Sequence, residues 1–334
     1  NKWVIEGRYI NSLNRRFNGV NHFLDLPSEK RALCIGQAPP KIPAGFNDEL
    51  DTIESAIIAK DYFIVNGVPG SGKSSRVIKS LVEHYSSKQK RVLLLTYTHK
   101  AADRLCEVVS QVQINNKPIR FVRSTSKDKA ANEWKDICVD HLAGEGLPED
   151  RKRLKRALVA HTVRIGSVLS YKVNDAWSSL IEYDCVVVYE ASQVLESDLI
   201  HIVGNSKKFV LVGDVNQLPA ITSVSSEEEL IPSTLQNNLG IKSFSSSYFE
   251  RMYHLAMRNG WTHAFGNLTT QGRMHEKIMD LANLLFYDNE MEVVDPDVQC
   301  APIETIKNPE NEIEGYLAKQ NALFFNCLGE ANNS

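Results

Sequence analysis

The feature that most constrains this chain is the glycine-rich stretch GVPGSGKS, from Gly67 to Ser74. It follows a β-branched and aromatic run, Tyr62–Val65, and it opens a segment with apolar residues at helical spacing. In a strand, turn and helix of this kind, successive backbone N–H groups converge on phosphate oxygens, and the helix N-terminus adds a partial positive charge. The stretch therefore predicts a site for a nucleoside triphosphate.

The side chains of this stretch divide the work of holding phosphates. The glycines permit the tight turn, Lys73 can reach the β- and γ-phosphates, and the Ser74 hydroxyl is placed to ligate Mg²⁺. An incidental lysine in a glycine-rich turn is the alternative, and the flanking elements argue against it. The predicted phosphate-binding residues are Gly67, Gly70, Ser71, Gly72, Lys73, Ser74 and Ser75.

Two further apolar runs end in polar residues suited to phosphate chemistry. Cys185–Val188 is followed by Tyr189 and Glu190, and a carboxylate at such a strand end can hold Mg²⁺ and orient an attacking water. We predict Glu190 as the general base and, with Ser74, as a metal ligand; an ordinary solvated glutamate is the alternative. The run Phe209–Val212 is followed by Gly213-Asp214-Val215-Asn216-Gln217, which can deliver an amide and a carboxylate beside the phosphates.

The spacing of the apolar runs predicts an α/β fold. Several runs are continuous rather than alternating, as in strands that are buried on both faces of a parallel sheet. Helices between them return the chain in the same direction, so we expect a doubly wound parallel sheet. A further helix is predicted over Met274–Tyr287. The predicted strands are Tyr62–Val65, Val92–Thr96, Ile119–Val122, Ala157–His161, Cys185–Val188 and Phe209–Val212.

Composition excludes several classes of protein. Hydrophobic residues form 43% and charged residues 24% of the chain, which is ordinary for a globular protein. The 38 basic and 41 acidic residues nearly cancel, so a wholesale cationic nucleic-acid coat is excluded, although a local basic strip is not. No apolar run reaches the roughly 18 residues of a membrane span. The six cysteines form no CxxC pair and no signal peptide is visible, so we expect a cytoplasmic chain, nucleoid-associated in a bacterium or nuclear in a eukaryote.

Seven stretches, in the correct order, resemble the motifs of superfamily 1 helicases. The similarity is to the 5′→3′ branch, which includes the nonsense-mediated-decay helicase and the eukaryotic nuclease-helicases. The resemblance implies a RecA-like P-loop lobe followed by the start of a second, incomplete RecA-like lobe. The stretches are GVPGSGKS (67–74), TYTHKAADRL (96–105), AHTVRIG (160–166), YEASQ (189–193), LVGDVNQLPA (211–220), SYFERM (247–252) and LTTQGRMHEKI (268–278).

The resemblance also implies a function and a set of roles. The chain would couple ATP hydrolysis, with Mg²⁺, to movement along a single nucleic-acid strand, with DNA favoured over RNA and a fused or partner nuclease outside this chain. Gln217 would contact the γ-phosphate, and Arg273 would stabilise the charge that develops on it. The implied catalytic residues are Lys73, Glu190, Gln217 and Arg273, and the implied strand contacts are Thr98, His99, Lys100 and Thr162.

The resemblance divides the chain into segments. We expect a leader at 1–47, a first lobe at 48–222 with a surface insertion near 112–154, a connector at 223–267, and the start of the second lobe at 268–334.

One departure from the family pattern suggests a different function. Tyr189 stands where the family has an aspartate before its catalytic glutamate, and a neutral phenol cannot supply the negative charge that Mg²⁺ coordination needs. The second hypothesis is therefore a nucleotide-gated module that binds nucleic acid or a partner and hydrolyses poorly. A third, a P-loop kinase of small molecules, leaves Gln217 and Arg273 unexplained.

Overall fold

A seven-stranded parallel sheet forms the centre of the first of two compact units. The computed structural model describes residues 6–143, 152, 155–156, 158–171, 181–218, 220, 231–243, 246–301 and 314–315. The strands of the sheet are β1 Tyr62–Gly67, β2 Val92–Thr96, β5 Phe121–Ser124, β6 Val163–Ser167, β7 Cys185–Tyr189, β8 Phe209–Gly213 and β9 Phe265–Leu268. Two further strands, β3 Gln113–Ile114 and β4 Lys117–Pro118, form a separate hairpin. The strand order is β5-β6-β2-β7-β8-β1-β9, and every neighbouring pair is parallel, which confirms the predicted doubly wound α/β fold.

Helices cover both faces of this sheet. The helices of this unit are α1 Glu6–Leu24, α2 Ser28–Cys34, α3 Thr52–Ile58, α4 Lys79–Ser87, α5 His99–Ser110, α6 Val139–Ala143, α7 Glu196–Gly204, α8 Ser233–Leu239 and α9 Tyr248–Arg258. One face packs against α1, α2, α7 and α9, and the other against α3, α4 and α5. Alternate residues of β1 point to opposite faces, so Tyr62 and Ile64 join one apolar cluster and Phe63 and Val65 the other.

The described part of the predicted leader belongs to the first unit. Arg16 in α1 forms a bidentate ion pair with the buried carboxylate of Asp198 in α7, at 2.8 and 3.0 Å. The Tyr248 hydroxyl in α9 donates to the carbonyl of Cys34 at 2.6 Å. These contacts join segments far apart in sequence, so the leader packs as part of the sheet's helical cover.

Two predicted segments contain strands of the sheet. The predicted surface insertion near 112–154 includes the edge strand β5, and the predicted connector at 223–267 includes α8, α9 and the edge strand β9. The predicted strand at Ala157–His161 is wrong, because residues 158–160 are helical and the strand begins at Val163.

The second compact unit comprises Val68–Ser71 and Thr269–Ser334. Its described part contains two short parallel strands, β10 Thr270–Gln271 and β11 Glu292–Val293, and the helices α10 Glu276–Phe286 and α11 Pro296–Gln299. Helix α10 confirms the helix predicted over Met274–Tyr287. Val68, Met279 and Met291 form its small apolar cluster. Among the described helices, none combines the length and the hydropathy that crossing a membrane requires.

Candidate nucleotide and nucleic-acid site

Most of the predicted site residues follow the carboxyl ends of strands in the first unit. The phosphate-binding loop follows β1, Thr98 follows β2, Glu190 follows β7 and Gln217 follows β8. Strands β2, β7, β8 and β1 are consecutive neighbours in the sheet. Because parallel strands end at the same edge, the topology gathers these loops there, which is the usual position of ligand sites in such sheets.

Two glycines shape the phosphate-binding loop. Gly70 and Gly72 have φ values of 81° and 84°, a left-handed conformation that favours glycine. Gly67, in contrast, is the last residue of β1 and has ordinary strand geometry. The hydroxyl of Ser71 donates to the carbonyl of Val68 at 2.8 Å, which holds the turn together. Gly70, Ser71 and Gly72 therefore shape the turn of the predicted loop, whereas Gly67 belongs to the strand before it.

Lys73 begins the helical segment that follows the loop. Residues Lys73–Ile78 form a turn of π-helix that continues into α4, and the N–H groups of Arg76 and Val77 both donate to the carbonyl of Gly72, at 2.8 and 3.3 Å. The buried ammonium of Lys73 donates to the carbonyl of Gly67 at 2.6 Å, and Ser75 is exposed. The first N–H groups of a helix have no intrahelical acceptors. A lysine and these N–H groups at one turn make a suitable cradle for phosphate oxygens.

Glu190 and Tyr189 lie together at the end of β7. Glu190 adopts the left-handed conformation, with φ 56° and ψ 44°, and its Oε2 atom is buried without a hydrogen-bond partner among the described residues. The Tyr189 hydroxyl lies near the Glu190 carboxylate and the Ser74 hydroxyl, and both groups influence its pKa. Burial, and then the neighbouring Glu190 carboxylate, raise the pKa of Tyr189 to about 12, so the phenol is neutral at physiological pH.

The donors at this position fit Mg²⁺. Ser74 offers a hydroxyl oxygen and Glu190 a carboxylate with an unpartnered oxygen, and Mg²⁺ is commonly held by one or two carboxylates together with substrate phosphates and water. Tyr189 supplies no charge, and its hydroxyl lies beside both donors. The set is therefore less charged than one with an aspartate at position 189.

Gln217 is fixed beside the end of β8. Its side-chain amide donates to Asp214 Oδ2 at 3.1 Å, and its backbone N–H donates to the Asp214 carbonyl at 3.3 Å. The Asn66 side chain of β1 accepts from the N–H of Val215 at 3.1 Å. This bond ties the loop that contains Gln217 to the strand that precedes the phosphate-binding loop.

Arg273 lies in a turn of the second unit. The buried side chain of Gln271 accepts from the N–H groups of Arg273 and Met274, both at 2.8 Å. The N–H of Gly272 donates to the carbonyl of Gly70 at 3.1 Å, and a Cβ atom at Gly70 would lie 2.7 Å from Arg273 Cβ. The glycine at position 70 thus permits the backbone of Arg273 to approach the tip of the loop, while the Arg273 side chain is exposed.

The predicted strand-contacting residues Thr98, His99 and Lys100 begin α5. The Thr98 side chain caps the helix by accepting from the N–H of Ala101 at 3.1 Å. Arg123 of β5, which is fully buried, donates from Nη2 to His99 Nδ1 at 3.3 Å and from Nε to Asp103 at 2.9 Å. Burial, then Arg123 and Lys129, lower the pKa of His99, so the ring is neutral and its hydrogen resides on Nε2.

Thr162, the fourth predicted strand contact, does not lie with Thr98, His99 and Lys100. Thr162 precedes β6, so it lies at the amino edge of the sheet, where its carbonyl accepts from Val92 at 2.8 Å. Its hydroxyl lies 3.2 Å from that of Ser86 in α4. Gly166 and Ser167, at the other end of β6, lie at the carboxyl edge.

The motif SYFERM contributes a structural arginine that the sequence did not single out. Arg251 is buried, pairs with Glu196 of α7, and donates to the carbonyls of Ile35 and Leu239, both at 3.0 Å. Phe249, from the same motif, lies against Gly213 at the end of β8. The sequence signal for this role is the position of Arg251 on the apolar face of the amphipathic helix α9.

The chain belongs to the AAA domain family AAA_19, whose model matches residues 51–223. It is 26% identical over 259 residues to the DNA replication ATP-dependent helicase/nuclease DNA2 of Saccharomyces cerevisiae, covering 77% of this chain and 15% of that protein. The corresponding protein of Homo sapiens is 26% identical over 283 residues, covering 84% of this chain and 24% of that protein. The predicted resemblance to superfamily 1 helicases of the nuclease-helicase group is confirmed.

The chain spans less than a quarter of each of these relatives, between 15% and 24% of their length. JHS1 of Arabidopsis thaliana, another DNA replication ATP-dependent helicase/nuclease, is 25% identical over 297 residues, with 83% of this chain and 20% of that protein covered. Among solved structures, the Arterivirus nonstructural protein 10 helicase in complex with DNA has a TM-score of 0.39 at 17% identity, over 78% of this chain and 46% of that one.

Proposed function

We propose that this chain is the nucleotide-binding part of an ATP-dependent helicase or translocase that moves along a single nucleic-acid strand. The observation that supports it most is the gathering of Lys73, Glu190, Gln217 and Thr98 at the carboxyl edge of four neighbouring strands. A nucleotide site and a strand site that share one sheet edge can influence each other through the loops between them. DNA is favoured over RNA because the relatives are named for DNA replication.

The proposed roles follow the chemistry of each group. Lys73 and the N–H groups after Gly72 would hold the phosphates, and Glu190 would orient and deprotonate the attacking water. Gln217 would sense the γ-phosphate. Arg273 would stabilise the charge that develops on the transferred group, for which the short approach of its backbone to Gly70 gives support. Ser74 and Glu190 would hold Mg²⁺, which would supply positive charge to offset that of the phosphates.

The proposed strand contacts lie at the start of α5. Lys100 is exposed, and the Nε2–H group of a neutral His99 can donate to a phosphate oxygen. Contacts of this kind bind the backbone without base recognition, as a motor that steps along any sequence requires. A fused or partner nuclease, as the names of the relatives suggest, would lie outside this chain.

The test is ATP hydrolysis measured with and without a single-stranded oligonucleotide. A strand-coupled motor should hydrolyse ATP at least ten-fold faster with the oligonucleotide present. The matched control is Glu190→Gln, which should bind ATP but remain slow in both conditions. Equal rates for the unaltered chain, above those of the Glu190→Gln control, would count against a motor.

One observation favours a second candidate, a nucleotide-gated binding module that turns over slowly. The Tyr189 hydroxyl lies beside both Ser74 and Glu190, so it would stand next to the groups that would hold Mg²⁺ and activate water. ATP would then bind and order the loops while hydrolysis stays slow.

Two substitutions at position 189 separate the explanations. Tyr189→Phe removes the hydroxyl and frees Ser74 and Glu190, whereas Tyr189→Asp also supplies a carboxylate. If the missing charge limits turnover, only Tyr189→Asp should raise the ATP hydrolysis rate, by about 100-fold or more. If the Tyr189 hydroxyl itself limits turnover, both substitutions should raise the ATP hydrolysis rate. No increase in either variant, at unchanged ATP affinity, would refute the second candidate.

A further inference from the structure

A pocket rich in lysine lies at the amino edge of the sheet, opposite the predicted nucleotide site. We call it the basic pocket. Its volume is about 430 Å³, and Tyr85 and Asp184 are part of its wall. The cationic and imidazole side chains that line it are Lys60, Lys88, Lys90, Lys207, Lys208 and His84.

The strand order of the sheet creates this pocket. Lys90 precedes β2, Asp184 precedes β7, Lys208 precedes β8 and Lys60 precedes β1, and these four strands are consecutive neighbours. Residues more than a hundred positions apart in the sequence thus converge at one edge. All five lysines of the pocket lie in segments that lead into these strands.

The charges in the basic pocket are poorly balanced. Asp184 is the only carboxylate among the described residues that line it. Both of its oxygens are engaged, Oδ2 by the N–H of Arg91 at 3.0 Å and Oδ1 by Lys207 at 3.4 Å. Lys60 and Lys90 are exposed and have no carboxylate within 4.0 Å in the described part of the chain. Like charges gathered at this density repel one another and attract anions.

Lys208 distinguishes the pocket from an ordinary solvated lysine surface. Its side chain is 4% exposed, and its ammonium donates to the carbonyls of Ala56 and Ile57 at the end of α3, at 2.6 and 2.9 Å. These bonds use two of its three donors. Burial lowers the pKa of Lys208 to about 8, opposed by Cys185 and assisted by Lys90 and Lys60. A buried ammonium at the wall of a cationic pocket is a fixed donor for an anionic ligand.

We propose that the basic pocket binds an anion with linked phosphate groups. Such an anion would meet the buried donor of Lys208 and place its remaining charge between Lys60 and Lys90. The volume of the basic pocket suits a small phosphorylated molecule or a few linked phosphate groups of a nucleic-acid backbone. Both ligands present the same phosphate chemistry. The pocket lies at the sheet edge opposite Lys73, so this site is separate from the proposed ATP site.

Inorganic pyrophosphate is the probe, and titration calorimetry is the measurement. The background is Lys73→Ala, which removes the phosphate-binding lysine of the other site. Lys60→Gln with Lys90→Gln should weaken pyrophosphate binding at least ten-fold, because each replaced ammonium faces the pocket and neither forms an ion pair in the described structure. Lys117→Gln, an exposed lysine of β4, is the matched control and should bind as the background does.

Two further measurements identify the ligand and the donor. A single-stranded oligonucleotide that displaces pyrophosphate would assign the pocket to a nucleic-acid backbone, and one that does not would assign it to small phosphorylated molecules. Pyrophosphate should also raise the pKa of Lys208, followed by NMR of labelled lysine side chains, because a bound anion favours the charged amine. Unchanged pyrophosphate affinity in a folded Lys60→Gln, Lys90→Gln variant would overturn the proposal.

Discussion

Replacing Arg123 by Met tests the buried contacts that hold the start of α5. The guanidinium is fully buried, and it donates to Asp103 at 2.9 Å and to the carbonyl and Nδ1 of His99, both at 3.3 Å. Removing one partner of a buried pair costs about 3 to 5 kcal/mol. Asp103 is 16% exposed and keeps its bond from the N–H of Ala131, so water can reach it and we expect a loss of about 2 to 4 kcal/mol.

Urea unfolding measures this loss, with Arg120→Met as the matched control. Arg120 is an exposed arginine in the same segment, and its replacement should change stability by less than about 0.5 kcal/mol. Because Arg123 helps to lower the pKa of His99, Arg123→Met should also raise that pKa towards its ordinary value in an NMR titration. A variant as stable as the control, with an unchanged His99 pKa, would refute the reasoning.

Three further outcomes follow from the geometry. Lys73→Ala should abolish ATP binding in calorimetry, while Lys79→Ala, further along the same helical segment, should leave it intact; retained affinity in Lys73→Ala would contradict the assignment of the loop. Glu190→Gln should slow ATP hydrolysis about 100-fold or more at unchanged ATP affinity, and an unaltered rate would exclude Glu190 as the base. Arg251→Met should cost about 2 to 4 kcal/mol in urea unfolding, because its partners are left behind in a buried site, whereas the exposed Arg258→Met should cost little; equal losses would show that the ion pair is not what stabilises α9.

The central strands were predictable because they are buried on both faces. Continuous apolar runs identified β1, β2, β7 and β8 to within a residue or two. The apolar pattern did not predict strand β6, because this strand contains Arg164. The guanidinium of Arg164 is buried and donates to the hydroxyls of Ser124 and Tyr183. A search for apolar runs rejects such a segment, although the sheet satisfies its charge with partners from elsewhere in the chain.

Strand β9 was not predicted from the sequence for a different reason. Its sequence, Phe-Gly-Asn-Leu, is short and only partly buried. Its place is set by pairing with β1, where Ile64 lies opposite Phe265, and by the Thr52 hydroxyl, which donates to the Asn267 carbonyl at 2.9 Å. These partners are about two hundred positions away, so local pattern alone cannot find them.

The candidate site shows the same division between local and distant information. The loop at 67–74 is local, and its turn follows from its glycines. The proximity of Tyr189 to Ser74 depends on β7 and β1 being separated by a single strand, β8, which no stretch of sequence reveals. Thr162 illustrates the same point, because its sequence motif does not show that this residue stands before its strand rather than after it.

The backbone of Glu190 implies a conflict between activity and stability. A non-glycine residue in the left-handed region costs roughly 1 to 2 kcal/mol relative to glycine, and Glu190 has φ 56° while one of its carboxylate oxygens is buried and unpartnered. Glycine at this position would remove both the backbone strain and the buried unpartnered oxygen. Glu190→Gly should therefore melt at a higher temperature than the unaltered chain while losing ATP hydrolysis. Selection for a working enzyme would therefore retain a residue that selection for thermal resistance alone would discard.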